Sequence, residues 1–462
     1  MAKSPFAKRE ESYELSRRAL IKWTVAAGAA LGVSRSRIFD ILEGTAGRGT
    51  AFAAAANPTT RSVHIVAGNG GLAWWQLLWP QPEIALANNP TFAWHKPGMA
   101  SLIPGTFKPL AMGPDTPLAA IPAARQMTGF LCGNNETHTG QPQSTTLLNG
   151  SNIHAIAAVL QSANPSVIPA ITVGQTSLGT AAGAPAAAQV GNAGDAVGLF
   201  NSAASRAGGL LAMSSHASLY KAQYDAFAQL NRAANRSTTK KSYTTASGAA
   251  SFLGTNLAAK LSLQPEDLTM YGIDGNTRNN VRQIAEVLIF AVKAFKMGLT
   301  NAIVLPAMND DPHGAFADGS VNTVPAQLKK VFDGFMTHLT ATTDDVTLTT
   351  LADDIVFTIS GDTTKDSRNA SGWPDGTANN SNMIFVYSSG HLKSGWFGQI
   401  LASGNAEGFN AQGATAAYNG PTQARLALAS IAYAIAKRDE RAISTFANGL
   451  QISNIFGNAK DQ

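Results

Sequence analysis

At 462 residues the chain is long enough for one large core or two domains, and its 45% hydrophobic and 14% charged residues exclude an intrinsically disordered protein. The net charge of +5 lies mostly in residues 1–56, so the rest of the chain is nearly neutral and lacks the dense basic face of a nucleic-acid binder. Cys132 is the only cysteine, which excludes an intramolecular disulfide and metal sites built from several cysteines.

The first 56 residues carry the pattern of an export signal. Arg17 and Arg18 precede Lys22 and then an apolar run over 23–33, which is too short for a bilayer span of about 20 residues. Paired arginines before a short apolar segment are typical of twin-arginine (Tat) signals. We therefore predict that residues 1–56 are a Tat signal region and linker, with the Tat machinery as a partner. The alternative is a cationic amphipathic helix.

This signal predicts that the protein lies in the periplasm, in the cell envelope or outside the cell. A presequence that is not cleaved would remain as an anchor. Tat export carries folded proteins, which fits a chain that does not rely on disulfides.

Residues 57–173 have the pattern of the first part of an α/β domain. The β-branched run over 61–67 predicts a first strand, which ends at Gly68-Asn69-Gly70-Gly71. The spacing of these glycines does not match a dinucleotide-binding loop, so we predict no nucleotide cofactor. The aromatic residues between positions 74 and 94 either fill a core or line a surface for a sugar or protein partner. Further elements are predicted as strands over 129–133 and 167–173 and a helix over 153–160.

Residues 174–265 are low in charge and rich in Ala, Gly, Ser and Thr, and helical patterns around 223–234 and 247–261 indicate a mostly helical insertion or cap. Residues 266–462 return to alternating strands and helices and form the second part of the α/β domain. The short apolar run that opens the stretch 301–314 predicts a strand. Further strands are predicted over 354–360 and 383–387, and helices over 281–296, 325–339 and 423–436. This alternation predicts a three-layer α/β fold with a mostly parallel sheet flanked by helices.

Acidic and imidazole side chains follow several of these strands. Asp311 and His313 lie two positions apart in the turn after the first strand of the second part, so both could point at one ion. Asp362 and Asp375 follow the next strand. Because the carboxyl ends of parallel strands meet at one edge of a sheet, we predict that these four side chains share a divalent metal site. The alternative is ordinary turn chemistry, with aspartate capping beside a proline.

The order of these motifs along residues 16–460 resembles a large family of Tat-exported bacterial proteins, the domain of unknown function 1501 family, which is similar to alkaline phosphatases and sulfatases. The matching segments are Ala67–Leu72, Thr137–Gly140, Asn309–His313, Ser360–Thr364 and Ser389–Gly395. Two positions depart from the family pattern. The first turn has Asn69-Gly70-Gly71 where the family has an aspartate, and Gly376 stands where the family has a histidine.

The resemblance implies an alkaline phosphatase-like fold and a metal-dependent hydrolase of phosphate or sulfate esters. It implies one or two divalent ions (Zn, Ca, Mg or Mn), with Thr137 and His138 as the catalytic residues. For these two residues the alternative is that they only satisfy loop backbone groups. The two departures favour a second function, a catalytically inactive binding or structural protein of the cell envelope. That protein would need no metal, and its partner would be a glycan or an envelope protein.

Overall fold

A computed structural model describes residues 59–94, 97–139, 143–164, 166–200, 256–450 and 452–457. The predicted signal region, with Arg17 and Arg18, and positions 201–255 of the predicted insertion lie outside the described residues. The chain divides into two units, and the described residues of the smaller one are 166–168, 194–200 and 256–262. All of the candidate site residues described below belong to the larger unit.

The strands of the described residues are numbered in chain order. They are β1 Arg61–Gly68, β2 Ser101–Leu102, β3 Ala111–Met112, β4 Thr128–Asn134, β5 Leu147–Leu148, β6 Ser151–Asn152, β7 Ile168–Val173, β8 Ala188–Val190, β9 Thr300–Asn309, β10 Ile355–Gly361, β11 Ser381–Tyr387, β12 Gly395–Phe397, β13 Gln399–Ile400, β14 Ala406–Phe409 and β15 Thr415–Ala417.

The α-helices of the described residues are numbered in the same way. They are α1 Ala73–Leu78, α2 Pro82–Leu86, α3 Gln143–Thr146, α4 Ile153–Leu160, α5 Ala193–Gly198, α6 Leu257–Leu261, α7 Pro265–Met270, α8 Asn279–Lys296, α9 Val324–Thr340, α10 Gly420–Ile435 and α11 Glu440–Ala447. In the ranges that the structure describes, no helix combines the length and the apolar character needed to cross a bilayer.

Eight strands form the central sheet in the order β12-β4-β11-β10-β1-β9-β7-β8. β1 lies between β9 and β10 and runs parallel to both. β11 is antiparallel to its two neighbours, β10 and β4. The α/β class with a large helix-flanked sheet is therefore confirmed, but the sheet is mixed.

The antiparallel strand follows from the connection that precedes it. A parallel return to the same sheet needs a crossover, usually a helix, that carries the chain back to the other end of the strands. Positions 362–380 contain no α-helix, and their one helical segment is a short 3-10 turn, Ala378–Asn380. The chain therefore stays at the edge where β10 ends, and β11 runs back from that edge.

Helices cover both faces of the sheet. The ring of Phe357 on β10 has its centroid 5.7 Å from that of Phe332 and 5.6 Å from that of Phe335, both on α9. Its neighbour Val356 packs in a cluster with α10 residues such as Leu428. Because successive residues of a strand point to opposite faces, these contacts place α9 and α10 on opposite sides of the sheet.

The tryptophan-rich segment after β1 belongs to the core. Its buried aromatic residues are Trp74, Trp75, Trp79, Phe92 and Trp94. The centroids of the Trp75 and Trp79 rings lie 5.3 and 6.2 Å from that of Phe332, in edge-on geometry. The core interpretation of this segment is therefore confirmed, and the alternative of an exposed aromatic surface is wrong.

Candidate functional site

The candidate site lies where β1, β9 and β10 end side by side. The turn after β1 places Gly70 and Gly71 against the end of β9. A Cβ atom on Gly71 would overlap the carbonyl oxygen of Met308 and lie 2.7 Å from the carbonyl carbon. Gly70 has φ +79°, and a Cβ atom there would lie 3.3 Å from the Cα of Asp311. Two residues without side chains therefore let the loop that carries Asp311 approach the first turn.

The ammonium of Lys365 forms the centre of a cluster of charged side chains. Its side chain has no exposed surface, and its Nζ forms ion pairs with the carboxylates of Asp311 and Asp375. The Nε2 of His313 lies 3.0 Å from the same Nζ and 3.1 Å from Asp311 Oδ2. A buried ammonium must be paired to be tolerated, and two carboxylates supply that pairing here. We call Asp311, His313, Lys365 and Asp375 the Lys365 cluster.

Backbone contacts hold the Lys365 cluster in place. The side-chain amide of Gln76 on α1 accepts from the Lys365 N–H at 2.9 Å and donates to the Lys365 carbonyl at 3.1 Å. Lys365 and Asp375 also pair as an isolated antiparallel bridge. His313 Nδ1 lies 2.9 Å from the Gly372 carbonyl, which can only accept. His313 therefore carries a proton on Nδ1, and in its neutral form Nε2 can accept from the ammonium.

The structure brings Asp311, His313 and Asp375 together, as the strand-end argument expects. It also places His138 beside them, because ligand atoms of His138, Asp311 and Asp375 lie within 4.8 Å of one another. The backbone N–H of His138 donates to Thr363 Oγ1 at 3.2 Å. Thr137 is exposed in the same loop.

Asp362, which is also predicted as a metal ligand, contacts the turn after β1. Its side chain is buried, and its Oδ1 accepts from the Gly70 N–H at 2.9 Å. Burial raises the pKa of Asp362, while hydrogen bonds from the backbone of Gly70 and Thr139 and the nearby His138 offset part of that rise. Asp362 Oδ1 therefore holds the glycine turn in place, while within the described residues the buried Oδ2 has no hydrogen-bond partner.

Lys365 is the residue of the candidate site that the sequence patterns missed. It lies five residues after Ser360 in the loop that follows β10, between two aspartates of a polar segment. The available signal was weak, because a lysine in a polar loop is almost always exposed. Only contacts distant in sequence, such as those of Gln76, show that it is buried.

A cleft of about 530 Å³ opens beside the Lys365 cluster and shares Asp311 with it. The walls of the cleft include Trp74, Arg278, Asp310 and Asp318. The guanidinium carbon of Arg278 lies 5.6 Å from the centroid of the Trp74 ring, and its Nη2 lies 2.5 Å from Asp310 Oδ2. The volume falls within the roughly 300–1,000 Å³ typical of small-molecule sites.

The residues of the Lys365 cluster fit an internal ammonium better than a resident metal. The spacing of His138, Asp311 and Asp375 alone could hold a divalent ion. The Lys365 ammonium, however, already supplies positive charge to both carboxylates. A divalent ion about 4 Å from that ammonium would meet a repulsion of roughly 8 kcal/mol at an effective dielectric constant of about 20. To bind such an ion, the carboxylates of Asp311 and Asp375 would first have to release the Lys365 ammonium.

No protein-family model matches this chain, and comparisons with curated proteins and with solved structures return no match.

Proposed function

We propose that this protein is an exported binding protein of the cell envelope that works without a metal, rather than an ester hydrolase. The supporting observation is the ammonium of Lys365 between the carboxylates of Asp311 and Asp375. A metal-dependent ester hydrolase needs cations at this position to polarise its substrate and activate the nucleophile. Here the same carboxylates neutralise a buried side chain of the protein.

The export and fold parts of the proposal rest on sequence. Arg17, Arg18 and the short apolar run at 23–33 support Tat export to the cell envelope. The motif order supports descent from an alkaline phosphatase-like fold. The missing acidic residue of the first turn and Gly376 in place of a histidine support loss of the hydrolytic site.

The competing function is a metal-dependent hydrolase of phosphate or sulfate esters. The observation that favours it is the proximity of His138, Asp311 and Asp375, whose ligand atoms lie within 4.8 Å of one another. The two functions differ in one measurable property, which is whether the purified protein holds a divalent ion.

The test compares the wild type with Lys365→Met by elemental analysis after dialysis against Zn²⁺, Mn²⁺, Mg²⁺ and Ca²⁺ in turn. We expect the wild type to retain well below one ion per chain. Lys365→Met removes the ammonium and leaves two carboxylates uncompensated, so we expect it to bind a divalent ion at least tenfold more tightly than the wild type, about 1.4 kcal/mol. Titration calorimetry measures that difference.

Lys365→Arg is the matched control, because it changes the same buried position but keeps the positive charge. We expect Lys365→Arg to bind no more metal than the wild type, with circular dichroism and urea unfolding reporting whether each variant folds. The proposal would be overturned if the wild type held one ion or more and turned over 4-nitrophenyl phosphate or sulfate, and if Asp311→Ala lost both the ion and this turnover. That result would establish the hydrolase.

A further inference from the structure

We infer that the amine of Lys365 and the carboxyl group of Asp375 condense to an amide, so that the protein carries an isopeptide bond between these two side chains. This inference goes beyond the proposed function, because it concerns the covalent structure of the site. The ion pair described above is the state before the bond forms. Three features carry the inference: the burial of the amine, the way the backbone fixes the two groups, and the imidazole beside them.

The amine of Lys365 is more buried than that of any other lysine paired with an aspartate in the described part of the chain. Its side chain has no exposed surface. In the remaining pairs, the side chains of Lys293, Lys329 and Lys437 are 15, 32 and 20% exposed. Burial excludes the water that would solvate an ammonium, and proton transfer to the paired carboxylate gives a neutral amine, which is the nucleophilic form.

The backbone holds the two reacting groups opposite each other. Lys365 and Asp375 face each other in an isolated antiparallel bridge, so their side chains emerge on the same side. Lys365 Nζ contacts Asp375 Oδ1, which is one bond away from the carbon that would be attacked. Gln76 fixes Lys365 through hydrogen bonds to its N–H and its carbonyl. Groups held in contact in this way react with effective molarities of up to about 10⁵–10⁸ M.

The ring of His313 supplies the proton acceptor that the condensation needs. Its Nε2 lies 3.0 Å from Lys365 Nζ and 3.6 Å from Asp375 Oδ1. Its Nδ1 proton is held by the Gly372 carbonyl, so Nε2 is the acceptor of the neutral ring. The carboxylate of Asp311, whose Oδ2 lies 3.1 Å from Nε2, stabilises the positive charge that the ring acquires when it takes up a proton.

The reaction releases one water molecule and needs no further reactant. The ammonium of Lys365 gives one proton to the Asp375 carboxylate, and the neutral Nζ then attacks the Asp375 Cγ. His313 Nε2 takes a second proton from Nζ and delivers it to the departing hydroxyl group. The C–O bond breaks, the hydroxyl leaves as water, and His313 returns to its neutral form. The Asp375 side chain is 33% exposed, which gives the water an exit.

The bond would change the chemistry of the candidate site. An amide would replace the Asp375 carboxylate, so the group of His138, Asp311 and Asp375 would lose one of its three potential metal ligands. The bond would also close the loop between positions 365 and 375, in a chain whose single cysteine cannot form an internal disulfide. Both consequences agree with a protein that works without a metal.

The experiment digests the purified full-length protein with trypsin after denaturation and measures the peptide masses. Trypsin does not cleave after an acylated lysine, so the bond leaves residues 331–368 joined to 369–393, one water molecule lighter than the two segments together. We expect this branched peptide in the wild type and not in Asp375→Ala. The inference would be overturned if the wild type gave only the separate peptides 331–365 and 369–393.

The ion pair of Lys437 with Asp354 is the matched control in the same digest. Its carboxylate is almost fully buried, but within the described residues no histidine contacts Lys437 Nζ. We expect no linked peptide from this pair. Equal linking of the two pairs would mean that the bond does not depend on the groups around Lys365, and would also overturn the inference.

His313→Gly tests the proton transfer. The His313 side chain is 49% exposed, so imidazole added to the solution can enter the space that the ring leaves. We expect the branched peptide to accumulate about 100-fold more slowly after expression, as is typical when a general base is lost, and added imidazole to restore part of the rate. Linking at the wild-type rate, or a slow rate that imidazole does not raise, would overturn the role assigned to His313.

The linked peptide and the metal content of the wild type are separate measurements. A wild type that lacks both the bond and a metal would overturn this inference and leave the proposed function intact. A wild type that holds a metal through the Asp375 carboxylate would overturn both.

Discussion

At the scale of single residues, the guanidinium of Arg61 at the start of β1 is a buried charge outside the candidate site. Its Nε and Nη2 donate to Asp344 Oδ2 at 3.1 and 2.9 Å, and its Nη1 donates to Asn301 Oδ1. Neither Arg61 nor Asp344 is more than 1% exposed. We predict that Asp344→Ala lowers the free energy of unfolding by about 3–5 kcal/mol, because it leaves a buried charge uncompensated. Urea denaturation measures this loss.

The double variant Arg61→Met with Asp344→Leu serves as the control. It removes both charges and fills the space with apolar side chains, so we expect it to be more stable than Asp344→Ala alone. A cost below about 1 kcal/mol for Asp344→Ala, the value typical of an exposed pair, would contradict the prediction.

Single residues also show how much of the candidate site could be predicted from the sequence. Asp311, His313 and Asp375 could be chosen from sequence because they are the acidic and imidazole residues that follow strands. Lys365 could not, because its burial depends on Gln76, which is 289 positions away in the chain. Asp362 also follows a strand, yet its side chain contacts the glycine turn. Its position after a strand does not determine the direction in which its side chain points.

At the scale of elements, the glycine turn after β1 lets the end of β9 and the loop that follows it pack closely against this turn. We predict that Gly71→Ala lowers the free energy of unfolding by about 1–3 kcal/mol, because its Cβ would overlap the backbone of Met308, which cannot move aside without shifting the end of β9. The same shift would displace Asp311 from Lys365. Urea denaturation measures the stability, and the metal uptake of the variant reports whether the ion pair has opened.

Gly275→Ala is the comparison for this variant. An added Cβ there would have nothing within 4 Å, so we expect a change within about 0.5 kcal/mol. If Gly71→Ala were equally well tolerated, the close approach of the turn to β9 would be wrong.

The elements themselves were largely predictable, but their pairing was not. The β-branched run over 61–67 became β1, and the apolar periodicity over 281–296 and 325–339 became α8 and α9. These patterns are local, because they reflect which side of an element is buried. The antiparallel direction of β11 depends on the path of positions 362–380, and an apolar run carries no information about its neighbour in the sheet.

At the scale of the whole molecule, covering both sheet faces buries polar groups that would otherwise titrate in water. His64 on β1 and His154 on α4 are both fully buried, and their ring centroids lie 4.8 Å apart. Burial lowers the pKa of His154 to about 4, with a smaller opposing effect from a backbone hydrogen bond at Ser177. Burial and the neighbouring His154 lower the pKa of His64 well below its ordinary value.

These shifts predict how stability depends on pH. Below about pH 6.5 the unfolded chain takes up a proton on His154 that the folded protein does not take up until about pH 4. The stability from a neutral His154 is therefore fully present above pH 6.5 and is lost as the pH falls toward 4, by about 3 kcal/mol for this group. His154→Phe keeps a ring beside His64 without a titrating nitrogen. We expect urea denaturation to show that this variant loses about 3 kcal/mol less than the wild type between pH 7 and pH 4, with a constant difference at higher pH. Parallel losses in the two proteins would show that the buried imidazole does not control acid stability.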